Sequence, residues 1–223
     1  MKVVIFDCDG TLVDSQHGIV HSMQQAYGDV GIEFPGRERA LSIVGLSLIE
    51  AFRILEPHRD HAMHVRLAEA YKGSFQRMRT DRLHEEPLYE GCRDVLDRLH
   101  ARDDVLLAMA TGKSQRGVRA LLEREGLHGY FHSIQTADDA PSKPHPAMIL
   151  QALADTGGRA DATVMIGDTS YDMEMARNAS VGALGVSWGY HHDDLLKGAG
   201  AHHIVNHYNE VEDFLETWFG VPA

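Results

Sequence analysis

Cysteine is scarce in this 223-residue chain, which holds two, Cys8 and Cys92. Two are too few for a disulfide framework or a cysteine-ligated zinc cluster. Basic charge is also short, with 21 Lys and Arg against 33 Asp and Glu and a net charge of −12. That balance disfavours nonspecific attraction to nucleic acid or to an anionic membrane surface. No apolar run approaches the roughly 20 residues of a membrane-spanning helix. The first run, Val3-Val4-Ile5-Phe6, stops at Asp7 and is no signal-peptide core. Internal repeats and low-complexity tracts are missing as well. The expectation is a soluble protein of a reducing cytoplasm, without nucleic-acid or membrane partners.

What is present is a 43% hydrophobic composition, enough for a substantial core. Short apolar runs read as buried strands at Val3–Phe6, Val105–Ala110, Thr163–Ile166 and Ala183–Val186, with weaker ones at Ser133–Gln135 and His203–Val205. Helical periodicity runs through Cys92–Arg102, Ser114–Glu125, Ala147–Ala154, Tyr171–Ala179 and Glu210–Phe219. Strand alternating with helix predicts an α/β fold, a Rossmann-like doubly wound parallel sheet covered on both faces. Residues 16–86 break the alternation with helical candidates only, near Gly18–Tyr27, Leu46–Leu55 and His61–Arg79. The expected organisation is a core of residues 1–15 and 87–223 with a helical subdomain inserted at 16–86. The insertion carries 9 basic and 10 acidic residues, the remainder 12 and 23, so the core is strongly acidic and the insertion nearly neutral.

The most informative stretch follows the first strand: Asp7-Cys8-Asp9-Gly10-Thr11-Leu12-Val13. If the chain stays extended past Phe6, Asp7 and Asp9 share a face and Cys8 turns into the core. Carboxylates at the carboxyl end of a parallel strand lie where open α/β sheets place their ligands. Gly10 permits a sharp turn. Two close carboxylates repel unless a cation or proton intervenes. The pair therefore reads as a divalent-metal site with a nucleophile and an acid/base, or, taken alone, as a strand-end turn. Later strands also end in polar groups. Thr111-Gly112-Lys113-Ser114 opens a helix and reads as a phosphate cradle or an ordinary helix cap. Ser142-Lys143-Pro144-His145-Pro146 fixes a lysine between prolines. Gly167-Asp168-Thr169-Ser170-Tyr171-Asp172 places two aspartates one helical turn apart.

In this order, each at a strand's carboxyl end, these groups resemble the four motifs of the haloacid-dehalogenase superfamily. The resemblance spans nearly the whole chain, including a helical cap between the first and second motifs. The interval from Thr111 to Lys143 is too short for a second large cap. Asp7-x-Asp9-Gly10-Thr11-Leu12-Val13-Asp14-Ser15 resembles the phosphatase branch, and Gly167–Met173 with Gly185–Tyr190 is similar to the phosphoglycolate-phosphatase-like group. One position departs: that group often has Asn after the motif-two Thr, and here it is Gly112. A backbone N–H remains there for phosphate, and a substrate contact is lost.

The resemblance implies Asp7 as the nucleophile that becomes an aspartyl phosphate. It implies Asp9 as the acid and then base. Asp7, the Asp9 backbone carbonyl and Asp168 are the implied Mg²⁺ ligands, with Asp172 acting through a water. Gly10, Thr11, Thr111, Gly112 and Lys143 are the implied holders of the phosphoryl oxygens, Thr111 and Lys143 counting also as catalytic. The implied partner is a small phosphorylated metabolite. Arg53, Lys72, Arg77 and Arg79 in the insertion could meet a carboxylate on the leaving group, favouring an anionic monoester such as 2-phosphoglycolate. Rival readings are a sugar-phosphate or pyrophosphate substrate, a phosphosugar mutase, and a catalytically silent binding protein. A dehalogenase or phosphonate hydrolase has no use for Asp9. His58, His61 and His64, and the pairs His191-His192 and His202-His203, read as surface residues, because three-residue steps drift round a helix.

Overall fold

A computed structural model describes residues 1–80 and 86–220. Six strands form one sheet: β1 (Lys2–Phe6), β2 (Val105–Ala110), β3 (Phe131–Gln135), β4 (Thr163–Gly167), β5 (Gly182–Val186) and β6 (His203–Val205). Their order is β3-β2-β1-β4-β5-β6, and every pairing is parallel. The chain winds from β1 to one edge, then crosses to the other side through β4. That reversal makes the carboxyl ends of β1 and β4 the switch point, where doubly wound sheets hold ligands.

Between β1 and β2 lie α1 (Gln16–Val30), α2 (Arg37–Leu41), α3 (Leu48–Leu55), α4 (His61–Thr80) and α5 (Cys92–His100). The later helices are α6 (Gln115–Glu125), α7 (Ala147–Thr156), α8 (Ser170–Asn178), α9 (Asp193–Gly198) and α10 (Asn209–Gly220). Strand alternation sorts β1 between two layers. Val4 and Phe6 pack with α5, α6 and α10, and Val3 and Ile5 with α7, α8 and α9. These four side chains are fully buried, each a stabilising burial of about 1.5–3 kcal/mol. Cys8 and Cys92 are buried free thiols, as expected for core residues.

The α1–α4 layer has an apolar cluster of its own, built on Ile19, Met23, Tyr27, Phe52, Leu55 and Leu67. Tyr27 is fully buried and donates its hydroxyl to Glu56 Oε1 at 3.0 Å. Tyr171 and Tyr190 of the sheet layer pack against this cluster. Among the described residues, no helix is long and apolar enough to cross a membrane.

All six expected strands form, and the expected helices differ by a few residues at their ends. The short helices α2 and α9 and a 3₁₀ turn at Ala160–Ala162 were not expected, since five or six residues show too little periodicity. Two histidines depart from the surface reading. His64 is buried, its Nε2 bonded to Glu56 O at 2.9 Å across the α3–α4 turn. His191 is buried between loops, as described below. His58, His61, His192, His202 and His203 are exposed.

Candidate active site

β1 ends at Phe6, and the ladder gives one more bond, Asp7 N–H to Ile166 O at 2.9 Å. The chain then bends. Cys8 O accepts from the backbone N–H of Leu12 at 2.8 Å and Val13 at 3.1 Å, and Gly10 N–H donates to Val13 O at 2.9 Å. Gly10 has φ +86°, and a Cβ there would fall 2.2 Å from Asp168 Oδ2. Only glycine combines that dihedral with so close an approach. Trp188 Nε1 and the Tyr208 hydroxyl both donate to Thr11 O, at 3.2 and 2.6 Å, and hold the turn from behind.

The bend separates the two aspartates of the motif. Asp7 joins Asp168 and Asp172, whose carboxylate oxygens lie within 4.8 Å of one another. All three are essentially excluded from solvent. Lys143, also buried, places its ammonium 2.7 Å from Asp7 Oδ1 and 2.6 Å from Asp172 Oδ1. Asp168 is oriented through both oxygens: Thr11 Oγ1 donates to Oδ1 and Tyr190 N–H to Oδ2, each at 2.9 Å. Asp172 closes a capping box on α8, accepting from Thr169 N–H at 3.1 Å and Thr169 Oγ1 at 2.7 Å. Its carboxylate is thus engaged by Lys143 and the helix end. Neither oxygen of Asp7 accepts a hydrogen bond of good geometry.

Three carboxylates face one ammonium, leaving an excess of two negative charges in a buried site. Burial and the Asp172 charge push the Asp7 carboxyl up to about 7, against the pull of Lys143. Asp168 is raised as well, by burial and then by Asp172 and Asp7. Burial works against the Lys143 charge, but Asp172 and Asp7 outweigh it and raise its pKa. An all-oxygen set with two excess charges and an orphaned carboxylate fits a hard divalent cation. Among the described residues this is the one group with such an arrangement.

Asp9 takes a different partner. Its Oδ1 accepts from Lys113 Nζ at 2.7 Å, and the same ammonium lies 3.1 Å from Glu86 Oε1. Asp7 and Asp9 therefore do not act as one pair sharing a face, because the strand geometry ends before Asp9. Thr111 follows β2 and is buried; its Oγ1 accepts from Lys113 N–H at 3.2 Å. Thr11 turns its side chain to Asp168, and the Gly10 N–H is used within the turn.

Gly112 meets the α1–α4 layer backbone to backbone. A Cβ there would stand 2.5 Å from Gly45 O and 2.9 Å from Leu46 O. The segment 42–47 is pinned on three sheet-layer loops. Tyr171 OH and His191 Nε2 donate to Ser42 O at 3.2 and 3.0 Å, and Ser47 N–H donates to Ser142 Oγ at 2.8 Å. His191 Nδ1 accepts from Ser170 N–H at 3.0 Å, so the neutral ring satisfies both partners, and burial lowers its pKa. The missing Asn side chain thus has a steric cause: the helical layer occupies its place.

Three of the expected insertion cations do not reach this site. Arg53 pairs with Glu50 at 2.7 Å, Lys72 with Glu69 at 2.8 Å and Arg77 with Asp29 at 3.7 Å, all on exposed helix faces. The Arg79 side chain lies outside the described residues. Sequence reasoning missed Lys113, Glu86, Tyr190 and His191. Lys113 carried a signal, since it follows Thr111-Gly112 directly; the others reach the site from 21 or more residues away in sequence.

A parallel doubly wound sheet with acids and a lysine at its switch point defines a hydrolase of the haloacid-dehalogenase kind. The model of the haloacid dehalogenase-like hydrolases matches residues 4–186, and the chain belongs to that family. It is 38% identical over 214 residues to a "Probable phosphatase IndB" of Dickeya dadantii, covering 94% of this chain and 91% of the relative. It is 31% identical over 194 residues to a "Phosphoglycolate phosphatase" of Pseudomonas savastanoi, covering 86% and 71%. The crystal structure of a hydrolase from Pseudomonas syringae has the same fold, with TM-score 0.86, 24% identity and coverage of 97% and 99%. A phosphatase is the enzyme class that the fold, the motif residues and these relatives define.

Proposed function

We propose that the chain is a Mg²⁺-dependent cytoplasmic phosphatase that hydrolyses a small phosphomonoester through an aspartyl phosphate on Asp7. The observation that carries this reading is the imbalance of three buried carboxylates against one lysine, with the Asp7 carboxylate facing the Lys143 ammonium on one oxygen and lacking a donor on the other. Asp7, Asp168 and the Asp9 backbone carbonyl would hold the ion, and Asp172 would act behind them through a water while holding Lys143. When bound, Mg²⁺ supplies charge that keeps Asp7 ionised and polarises a phosphoryl oxygen.

Asp7 attacks phosphorus, and the ester P–O bond breaks as Asp9 gives its proton to the leaving oxygen. Asp9 then takes a proton from the water that attacks the aspartyl phosphate and releases inorganic phosphate. Lys143, Thr111 and the Gly112 backbone N–H hold the phosphoryl oxygens, where positioned charge supplies most of the rate. Residues 16–86 form a cap over the core of 1–15 and 87–223. The separate apolar cluster of α1–α4 supports this division. The backbone contact of Gly45 with Gly112 supports a small leaving group.

Among small esters 2-phosphoglycolate is the substrate we favour, on likeness to the Pseudomonas savastanoi relative. The outward ion pairs of Arg53, Lys72 and Arg77 give it no help from those residues. The test compares kcat/KM for 2-phosphoglycolate, hexose phosphates, pyrophosphate and a nucleoside monophosphate with Mg²⁺, in wild type and Asp7→Asn. Turnover is expected to be greatest on 2-phosphoglycolate and lost in the variant. A tenfold lead for another substrate, about 1.4 kcal/mol in transition-state binding, overturns the substrate assignment. Near-normal activity of Asp7→Asn overturns the covalent mechanism.

A further inference from the structure

A second lysine with a largely covered side chain, Lys113, belongs to none of the roles assigned above. Its ammonium lies 2.7 Å from Asp9 Oδ1 and 3.1 Å from Glu86 Oε1, and its side chain is 8% exposed. It stands 5.4 Å from the centroid of the Phe75 ring on α4. Its stem crosses Gly117 on α6, where a Cβ would fall 2.8 Å from Lys113 Cγ. Arg124, about two turns further along α6, pairs with Glu86 at 3.4 Å. Four charges of alternating sign, Asp9, Lys113, Glu86 and Arg124, thus run from the site toward the surface at the start of the return to the sheet. The setting is built on several elements, unlike the solvated ion pairs of the helix faces.

Only one oxygen of Asp9 is engaged. Among the described residues, Oδ2 has no hydrogen-bond partner, while Oδ1 is held by Lys113. A carboxylic acid still offers its carbonyl oxygen as an acceptor, so Oδ1 keeps the lysine in both protonation states and the proton travels on Oδ2. We propose that Lys113 is the positioning residue for Asp9, fixing Oδ1 so that Oδ2 meets the leaving oxygen, with Glu86 fixing Lys113 in turn. The inference rests on the phosphatase reading, in which Asp9 moves the proton. Glu86 shares the lysine, so Asp9 is not its sole counter-charge. Two carboxylates outweigh the cost of burial and hold Lys113 charged.

Lys113→Met keeps the stem and removes the ammonium, Lys113→Arg restores a cation, and Glu86→Gln keeps shape without charge. Each is assayed on p-nitrophenyl phosphate, whose leaving oxygen needs no proton, and on an alkyl phosphate, whose leaving oxygen does. The expected result is a loss of kcat on the alkyl ester of about 10–100-fold in Lys113→Met, part of the roughly 10²–10⁴ that a placed general acid contributes. The fall on p-nitrophenyl phosphate is expected to be small, KM and Mg²⁺ affinity by calorimetry unchanged, and Lys113→Arg partly restored. Glu86→Gln shifts the ratio the same way by less, and carries the test if Lys113→Met does not fold. Crystals of the variants are expected to show the Asp9 carboxylate turned from its wild-type rotamer. Equal losses on both esters, or an unmoved Asp9, overturn the proposal. If Asp9→Asn itself fails to discriminate the two esters, the role of Asp9 falls, and the Lys113 inference with it.

Discussion

Asp7 sits where its own charge is unwelcome. Burial and a neighbouring carboxylate raise its pKa to about 7 from an ordinary 3.8. The folded protein without metal therefore holds a proton that the unfolded chain releases. The associated stability is fully present below the unfolded value and is lost as pH rises through about 7. Above that pH, Asp7→Asn removes an uncompensated buried charge. With EDTA at pH 8, this substitution is expected to raise stability by about 1–2 kcal/mol, and with Mg²⁺ restored it abolishes turnover. Urea melts check it, and an unchanged or lower midpoint contradicts the charge imbalance. Asp9 shows where local pattern misleads. Period-two alternation predicted a shared face with Asp7, but the turn closed by Cys8 O rotates Asp9 toward Lys113. A residue two positions away by sequence faces a different counter-ion.

Among the elements, the segment 42–47 between α2 and α3 ties the helical layer to the sheet. It rests on Gly112 because that position has no side chain. Gly112→Asn would drive a side chain into the Gly45 carbonyl, and the backbone there can yield only by lifting the segment. The expected outcome is a layer held away from the site, with kcat/KM down at least tenfold and the fold intact. Small-angle scattering with a larger radius of gyration, together with faster proteolysis near residues 42–47, checks it. Retained activity and an unchanged radius contradict the steric reading. Gly112→Ala is expected to do the same by less. The sheet and most helices were legible because their apolar spacing is local. The docking of segment 42–47 was not, since its partners Tyr171, His191 and Ser142 are 95 or more residues away.

For the whole molecule, the acidic balance and the buried cluster act in one direction. A chain of net charge −12 repels an anionic substrate unless positive charge is concentrated at the site. A divalent cation that binds the folded state alone stabilises it by about 2.7 kcal/mol at a hundredfold excess over its dissociation constant. For a chain of this size that is roughly 5–10 °C in Tm. Mg²⁺ is expected to shift the wild-type melt by about this amount and Asp168→Ala by much less. Differential scanning calorimetry across a Mg²⁺ titration reads both. Equal shifts contradict a ligand role for Asp168.

The sequence by itself determined the strand–helix alternation, the all-helical stretch after the first strand, and the motif acids Asp7 and Asp168 with Lys143 at strand ends. Each is a matter of periodicity or of a residue's place relative to its own strand, and both are local properties of a chain. Tertiary structure decided the pairings. It set Lys143 between Asp7 and Asp172, gave Lys113 to Asp9 and Glu86, brought Gly45 onto Gly112, and turned Arg53, Lys72 and Arg77 outward. A charge finds its partner by distance through space. That distance is fixed only when the layers pack, because the partners lie on elements that meet nowhere in the sequence.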